Sequence, residues 1–240
     1  MSTLVMVRHG QASFGAANYD RLSEKGIAQS MALADHWVRN GQQFDAAFSG
    51  AQERQSRTLE IVRDAYASEG FPFPEPELRE AFNEYDAEAI MRRFVPGLLD
   101  REPGLRDLVN RVSQYGYASP EGRRAFQESF GIVMHHWLKG DAGVDGVETW
   151  EHFRGRVLEG VERICREYPS GKTVAVFTSG GPVSAVMQHA LKTPDQVALD
   201  LGWIIRNGSI NEFRYSGDRF TLAGFNMTPH YQDESLVTYR

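Results

Sequence analysis

The sequence predicts an α/β protein with a mostly parallel sheet, an antiparallel hairpin at its C-terminal end and a helical insertion in its middle. Three observations predict it. Two short apolar runs, Thr3-Leu4-Val5-Met6-Val7 and Thr173-Val174-Ala175-Val176-Phe177-Thr178, are rich in β-branched residues and free of charge, as strands buried on both faces are. Strand-like and helical patterns alternate on either side of a central block that has no strand pattern. Residues 209–215 and 219–225 flank Ser216-Gly217-Asp218 and read as a hairpin added to the sheet.

The bulk properties fit one soluble domain. At 240 residues, with 41% hydrophobic and 24% charged side chains, the chain can bury a substantial single core. A net charge of −6 argues against general affinity for nucleic acid and leaves room for a small cationic pocket. The single cysteine, Cys165, excludes an intramolecular disulfide and any cysteine-rich metal site. It lies in an amphipathic pattern and is expected to pack. The first strand begins almost at Met1, which leaves no room for a signal peptide, and no apolar run reaches membrane-spanning length. A cytoplasmic protein that engages neither membrane nor nucleic acid is expected.

The first strand ends in Arg8-His9-Gly10. Open α/β sheets place ligands at the carboxyl ends of their strands, and Gly10 lets the backbone turn away there. A cationic donor fork beside an imidazole suits a phosphate that is both held and attacked; the alternative is a strand that merely ends in polar residues. A small-residue loop over residues 13–18 is expected to border the site. Ser23 then reads as an N-cap with Glu24 in the first turn, followed by an apolar stripe of Ile27, Met31, Ala34 and Val38 and a stop at Asn40-Gly41. His36 lies beside this stripe as a surface or packing histidine.

Residues 44–49 read as the second strand. The helix after it opens with Arg54, Arg57 and Thr58 and turns Leu59, Val62 and Tyr66 inward. Arginines in the first turn of a helix that follows a strand make an anion-binding geometry; the alternative is a solvated helix start. A proline-rich connection over residues 72–76 leads into the acidic, aromatic stretch Leu78 to Asp86, which carries no clear secondary-structure signal. Residues 87–146 read as irregular helix broken by Pro96, Pro103-Gly104 and Pro120, an insertion able to cover the site. Its His135-His136 pair is adjacent in sequence, so the two rings diverge on a helix and lack metal-pair spacing.

Phe153, Val157, Val161, Ile164 and Tyr168 make an amphipathic helix ended by Pro169-Ser170-Gly171. The late strand then runs straight into Ser179-Gly180-Gly181-Pro182 and a helix through Val183, Val186, Met187, Ala190 and Leu191. This is a second helix N-terminus suited to an anion. It lacks the lysine and the spacing of a Walker loop.

Together these pieces resemble the histidine phosphatase superfamily, the phosphoglycerate-mutase-like phosphatases, from residue 3 to about residue 231. The resemblance is carried by Arg8-His9-Gly10, by Leu22 to Gly26 with Gln29, by Ser49 with Arg54 and Thr58, and by Leu78-Arg79-Glu80. Glu148 with Arg156, Asn207 to Ile210, and Asn226 to His230 continue it in order. It implies a single domain over residues 1–240, a three-layer α/β/α sandwich, with the insertion at about residues 84–146. The departures are as specific. The family's second histidine, after the late strand, is replaced by Gly180, while Ser179 keeps the family's serine. Gln11-Ala12 stands in for an acid and a hydroxyl residue, and Gly15 for an asparagine.

The implied chemistry is metal-independent and cofactor-free hydrolysis of a phosphate monoester through a phosphohistidine on His9, with Glu80 as proton donor and then base. Arg8, Arg54, Ser179, Gly180, Gln11 and Ser13 would bind the substrate, a small phosphorylated molecule or a phosphoprotein. Ser179 and Gly180 offer only neutral donors where a protonated histidine is usual. The missing charge is expected to cost about tenfold to thirtyfold in rate, with His152 or His230 as candidates to replace it. The alternative is a catalytically weak or inactive member that binds a phosphorylated ligand or partner; a mutase is a third reading.

Overall fold

The computed structural model describes residues 1–13, 18–117, 119–140 and 146–239. Most of the loop expected beside the site, Gly15 included, therefore lies outside the described residues, as do residues 141–145 of the expected insertion. The chain divides into two compact units, one of Met1–Glu84 with Gly155–Arg240 and one of Tyr85–Arg154.

Among the described residues, the first unit holds a six-stranded sheet. In chain order its strands are β1 (Ser2–Arg8), β2 (Ala46–Ser49), β3 (Pro76–Leu78), β4 (Thr173–Thr178), β5 (Ile210–Ser216) and β6 (Arg219–Met227). Their spatial order is β3-β2-β4-β1-β5-β6. The first four are parallel; β5 runs antiparallel to β1, and β6 to β5. The register sets Arg8 beside Thr178 and Ser49 beside Phe177. Three strand ends thus converge, followed in the chain by His9, Gly50 and Ser179.

Helices α1 (Glu24–Arg39) and α2 (Glu53–Ser68) cover one face. Val5, Val7, Ala47, Ala175 and Phe177 from the sheet pack there with Leu33, Ala34, Trp37, Leu59, Val62 and Tyr66. The alternate residues Leu4, Met6, Val174 and Val176 point to the other face and are equally buried. On that side α7 (Gly180–Leu191) packs on β1 and β6, completing a three-layer sandwich. The sheet, its C-terminal hairpin and the layers match the predicted class.

The details differ in instructive ways. The α1 stripe is offset: Ile27 and Met31 are 39% and 54% exposed, while Gln29 and Ser30 are buried. Gln29 is tolerated because its amide is fully engaged, accepting from the Gln11 N–H and donating to Leu236 O and Thr238 Oγ1. Ser30 returns its hydroxyl to Gly26 O. Ser23 does cap α1, accepting from the Gly26 N–H at 3.1 Å. The short strand β3, and α8 (Asp195–Gly202), gave no signal strong enough to read.

The second unit is helical: α3 (Ala87–Leu98), α4 (Leu105–Tyr115), α5 (Pro120–Lys139) and the first residues of α6 (Trp150–Glu167). Pro96 sits inside α3 rather than ending it, near the C-terminal end where little helix follows. Gly104, at φ +87°, begins α4, and Ser119 caps α5 with Pro120 in its first turn. Trp137 anchors an aromatic cluster with Tyr85, Trp150 and Phe153. His136 is a packing residue, its Nε2 at 2.7 Å from Glu102. Among the described residues no helix is long and apolar enough to cross a membrane.

Candidate active site

The backbone at the end of β1 is fixed on several sides. The His9 N–H donates to Thr178 O at 2.8 Å, and the Gly10 N–H donates to Thr58 Oγ1 at 3.1 Å. The His9 carbonyl accepts from the Gly208 N–H at 3.2 Å and from Asn207 Nδ2 at 3.3 Å. Gly10 is required by close approach: a Cβ there would lie 2.3 Å from the Gly26 carbonyl oxygen in α1.

The His9 ring is buried, with only 4% of the residue exposed, and both nitrogens are engaged. Nδ1 lies 2.6 Å from Gly10 O, and Arg54 donates its Nε–H to Nε2 at 3.1 Å. A guanidinium can only donate and a carbonyl can only accept, so the proton belongs on Nδ1 and the lone pair on Nε2. Burial first, then the charges of Arg54 and Arg8, push the His9 pKa well below the ordinary value of 6.5; the bond to Gly10 O opposes them. The imidazole is neutral at neutral pH.

Arg54 is itself held in three directions. Besides His9, it pairs through Nη1 with Asp20 Oδ1 and donates from Nη2 to Gln52 Oε1 at 3.1 Å. The other Asp20 oxygen accepts the Glu53 N–H at 2.7 Å, so one carboxylate both closes the start of α2 and orients the arginine. Arg8 donates from Nη1 to Ile205 O, and its guanidinium lies against Gly180, whose added Cβ would sit 3.7 Å from Arg8 Nε. Ser179 is buried at the start of α7, where its Oγ accepts from Gln55 Nε2 at 2.8 Å. His9, Arg8, Arg54, Ser179 and Gly180 are thus brought together around the ends of β1 and β4.

Glu80, the expected acid, is more exposed than expected. Glu80 stands exposed at the start of a single 3-10 turn, Glu80–Phe82, so the partly buried environment expected for its carboxyl is absent. Arg156 gathers the carbonyls of Ala81 and Asn83 at 3.0 and 2.9 Å and so holds this turn. A different carboxylate follows it. Glu84 Oε2 accepts the Gly181 N–H at 2.9 Å, in the first turn of α7 next to Gly180. Its own N–H donates to Gln52 Oε1 at 2.9 Å.

Gln11 Oε1 accepts from Ser23 Oγ at 3.0 Å, tying the loop to the start of α1, and the Ser13 N–H donates to Arg21 O. His152 is exposed in the helical unit. His230 is buried against Tyr231 and 6.1 Å from the His36 ring, and burial lowers its pKa to about 4. A neutral, buried ring of this kind does not supply the missing positive donor. Sequence reading missed Asp20, Gln52 and Glu84. Glu84 lies only four residues beyond the acid chosen, in the same acidic stretch, and spacing alone does not separate the two. Among the described residues no group of three or more His, Cys, Asp or Glu side chains is arranged to hold a metal ion.

Comparison with known proteins decides the family. The profile of the histidine phosphatase superfamily (branch 1) matches residues 4–96 and 99–228. The chain belongs to this superfamily. One relative, a 2,3-bisphosphoglycerate-dependent phosphoglycerate mutase from Zymomonas mobilis, is 26% identical over 212 residues, covering 82% of this chain and 86% of that protein. The fold is similar to that of YhfR from Bacillus stearothermophilus, with a TM-score of 0.65 at 20% identity over 96% of this chain and 99% of the other. The Entamoeba histolytica phosphoserine phosphatase solved with phosphoserine gives 0.61 at 15% identity, again over 96% and 99%.

Proposed function

We propose that this histidine phosphatase hydrolyses a phosphate monoester, a small phosphorylated molecule or a phosphoprotein, through a phosphohistidine on His9 and without a metal. The observation that carries the reading is the state of His9. A buried, neutral imidazole whose Nδ1 is tied to Gly10 O and whose Nε2 faces a guanidinium is a nucleophile set in one tautomer beside a phosphate-binding cation.

In the first step Nε2 attacks phosphorus in line while the bond to the leaving oxygen breaks. Arg54 and Arg8 bind the equatorial oxygens and offset the developing charge. Glu84 supplies the proton to the leaving oxygen. In the free protein its carboxylate is stabilised by the Gly181 N–H and the start of α7. In the second step water attacks phosphorus, Glu84 takes the water's proton, and the N–P bond breaks to release His9 and inorganic phosphate. Ser179 and the backbone of Gly180 stand where a charged donor is usual, which lowers the expected rate without removing the route.

That same substitution favours the second reading, a weak or inactive protein that binds a phosphorylated ligand. One experiment separates them: hydrolysis of an aryl phosphate without added metal by wild type and His9→Ala, with acid-labile phosphate on the protein followed by intact mass. Turnover and labelling that vanish in the variant support the phosphatase. Equal inactivity, with phosphate still bound, supports the binding protein.

A further inference from the structure

We propose that Gln52 is a positioning residue that sets the spacing between the arginine at His9 and the carboxylate of Glu84. The inference rests on the phosphatase reading above. Gln52 precedes α2 in extended conformation, at φ −72° and ψ 138°, the position where Ser, Thr, Asp or Asn usually caps a helix. Its side chain makes no capping bond. The Gln52 carbonyl already serves the helix start, accepting from the N–H groups of Gln55 and Ser56 at 2.9 and 3.1 Å. The longer glutamine side chain is thereby free to reach across the strand ends.

Its single Oε1 accepts two donors from different parts of the chain: Arg54 Nη2 at 3.1 Å and the Glu84 N–H at 2.9 Å. Arg54 meets the lone pair of His9, and Glu84 carries the carboxylate at the start of α7. One oxygen therefore connects the cation at the nucleophile to the backbone that carries the acid. A neighbouring bond, from the Ala51 N–H to Asn83 Oδ1 at 2.6 Å, holds the same turn to the same helix start without touching the arginine. Gln52 touches both functional groups with one oxygen. Proton delivery depends steeply on heavy-atom separation, so loosening this link is expected to act on the chemical step more than on binding.

The test compares Gln52→Ala and Gln52→Glu with wild type, reading kcat and KM for an aryl and an alkyl phosphate across pH, with the His9 imidazole 15N resonances alongside. Glutamate keeps an acceptor oxygen at the same reach for both donors; alanine removes it. The expected result is about a tenfold fall in kcat for the alanine variant with little change in KM, larger for the alkyl ester, and a shifted pH limb. The glutamate variant recovers most of the rate. Wild-type kinetics in the alanine variant, or equal impairment of both variants on an unmoved pH profile, would overturn the assignment. Absence of His9-dependent turnover in wild type defeats the phosphatase reading separately. Gln52 is then judged by the spectra: His9 resonances displaced in the alanine variant and restored by glutamate support the coupling, and unmoved resonances defeat it.

Discussion

Arg54 donates its Nε–H to His9 Nε2 across 3.1 Å, so the nitrogen proposed to attack phosphorus is capped in the free protein by the cation proposed to bind the phosphate. The arrangement lets one side chain act, after burial, on the charge state of the nucleophile and also on the charge of the substrate. Asp20 and Gln52 hold that side chain from the two other directions.

Replacing Arg54 therefore has two separable effects. Arg54→Lys keeps a charge but cannot reach His9, Asp20 and Gln52 together, because an ammonium is a point and a guanidinium a planar fork. We expect kcat/KM to fall at least about a hundredfold, the scale on which loss of one preorganised donor is felt. In Arg54→Ala the His9 pKa rises, since a positive neighbour that disfavours the imidazolium is gone. An NMR titration of His9 reads the second effect independently of turnover.

The two candidate acids make opposite predictions. Glu84→Gln keeps the bond from the Gly181 N–H but cannot carry a proton to the leaving oxygen. Its activity should fall by about 10²–10⁴ toward alkyl phosphates and by less toward aryl phosphates, whose leaving groups need less help. Glu80→Gln, at an exposed position, should retain activity close to that of wild type. Parallel kinetics on the two ester types decide the matter, and a severe defect in the Glu80 variant alone would reverse the assignment.

The sequence was most legible where burial is least ambiguous. Strands β1 and β4 are short, apolar and β-branched, and the polar residues that end them mark the site. It was less legible where polar side chains are buried in networks. The α1 face was misplaced because Gln29 looks like a surface residue until its partners Leu236 and Thr238, far away in the chain, are known, and because Ser30 satisfies its hydroxyl inside the helix on Gly26 O. The placement of Glu84 was hidden for a similar reason. The turn that leads to Glu84 is held by partners distant in the chain: Arg156 binds the carbonyls of Ala81 and Asn83, Thr178 Oγ1 donates to Phe82 O, and Gln52 accepts the Glu84 N–H. Local pattern carries no trace of such long-range bonds.

Acid should destabilise the protein through His230. Its pKa is about 4 in the folded state against an ordinary value of 6.5, because burial disfavours the charged ring and His36 lies nearby. Between those values the unfolded chain binds the proton more readily, so stability present above about pH 6.5 is progressively lost as pH falls toward 4. The full loss is on the order of 3 kcal/mol. His9, lowered in the same direction, adds to it. Urea unfolding at several pH values should show the slope, and His230→Phe should flatten it. An unchanged slope in that variant would show that the ring does not titrate on unfolding.

The glycine at position 180 allows the missing charge to be put back. A Cβ built there lies 3.6 Å from Gly202 O and 3.7 and 3.8 Å from Arg8 Nε and Cζ, all ordinary contact distances. Gly180 is not among the residues of positive φ, so a side chain meets no backbone strain. Gly180→His should therefore fold, and helix propensity favours it slightly. If the phosphate binds between His9 and the start of α7, a protonated imidazole there replaces neutral donors by a charge-assisted one. The gain in kcat/KM for an aryl phosphate should be about tenfold, largest below the pKa of the new ring. Gly180→Asn adds a side chain of comparable reach without the charge and should gain little. If the histidine variant is slower than wild type while phosphate binds as before, Glu84 and the α7 backbone already complete the site, and the second histidine is not a deficit here but a part this chain has replaced.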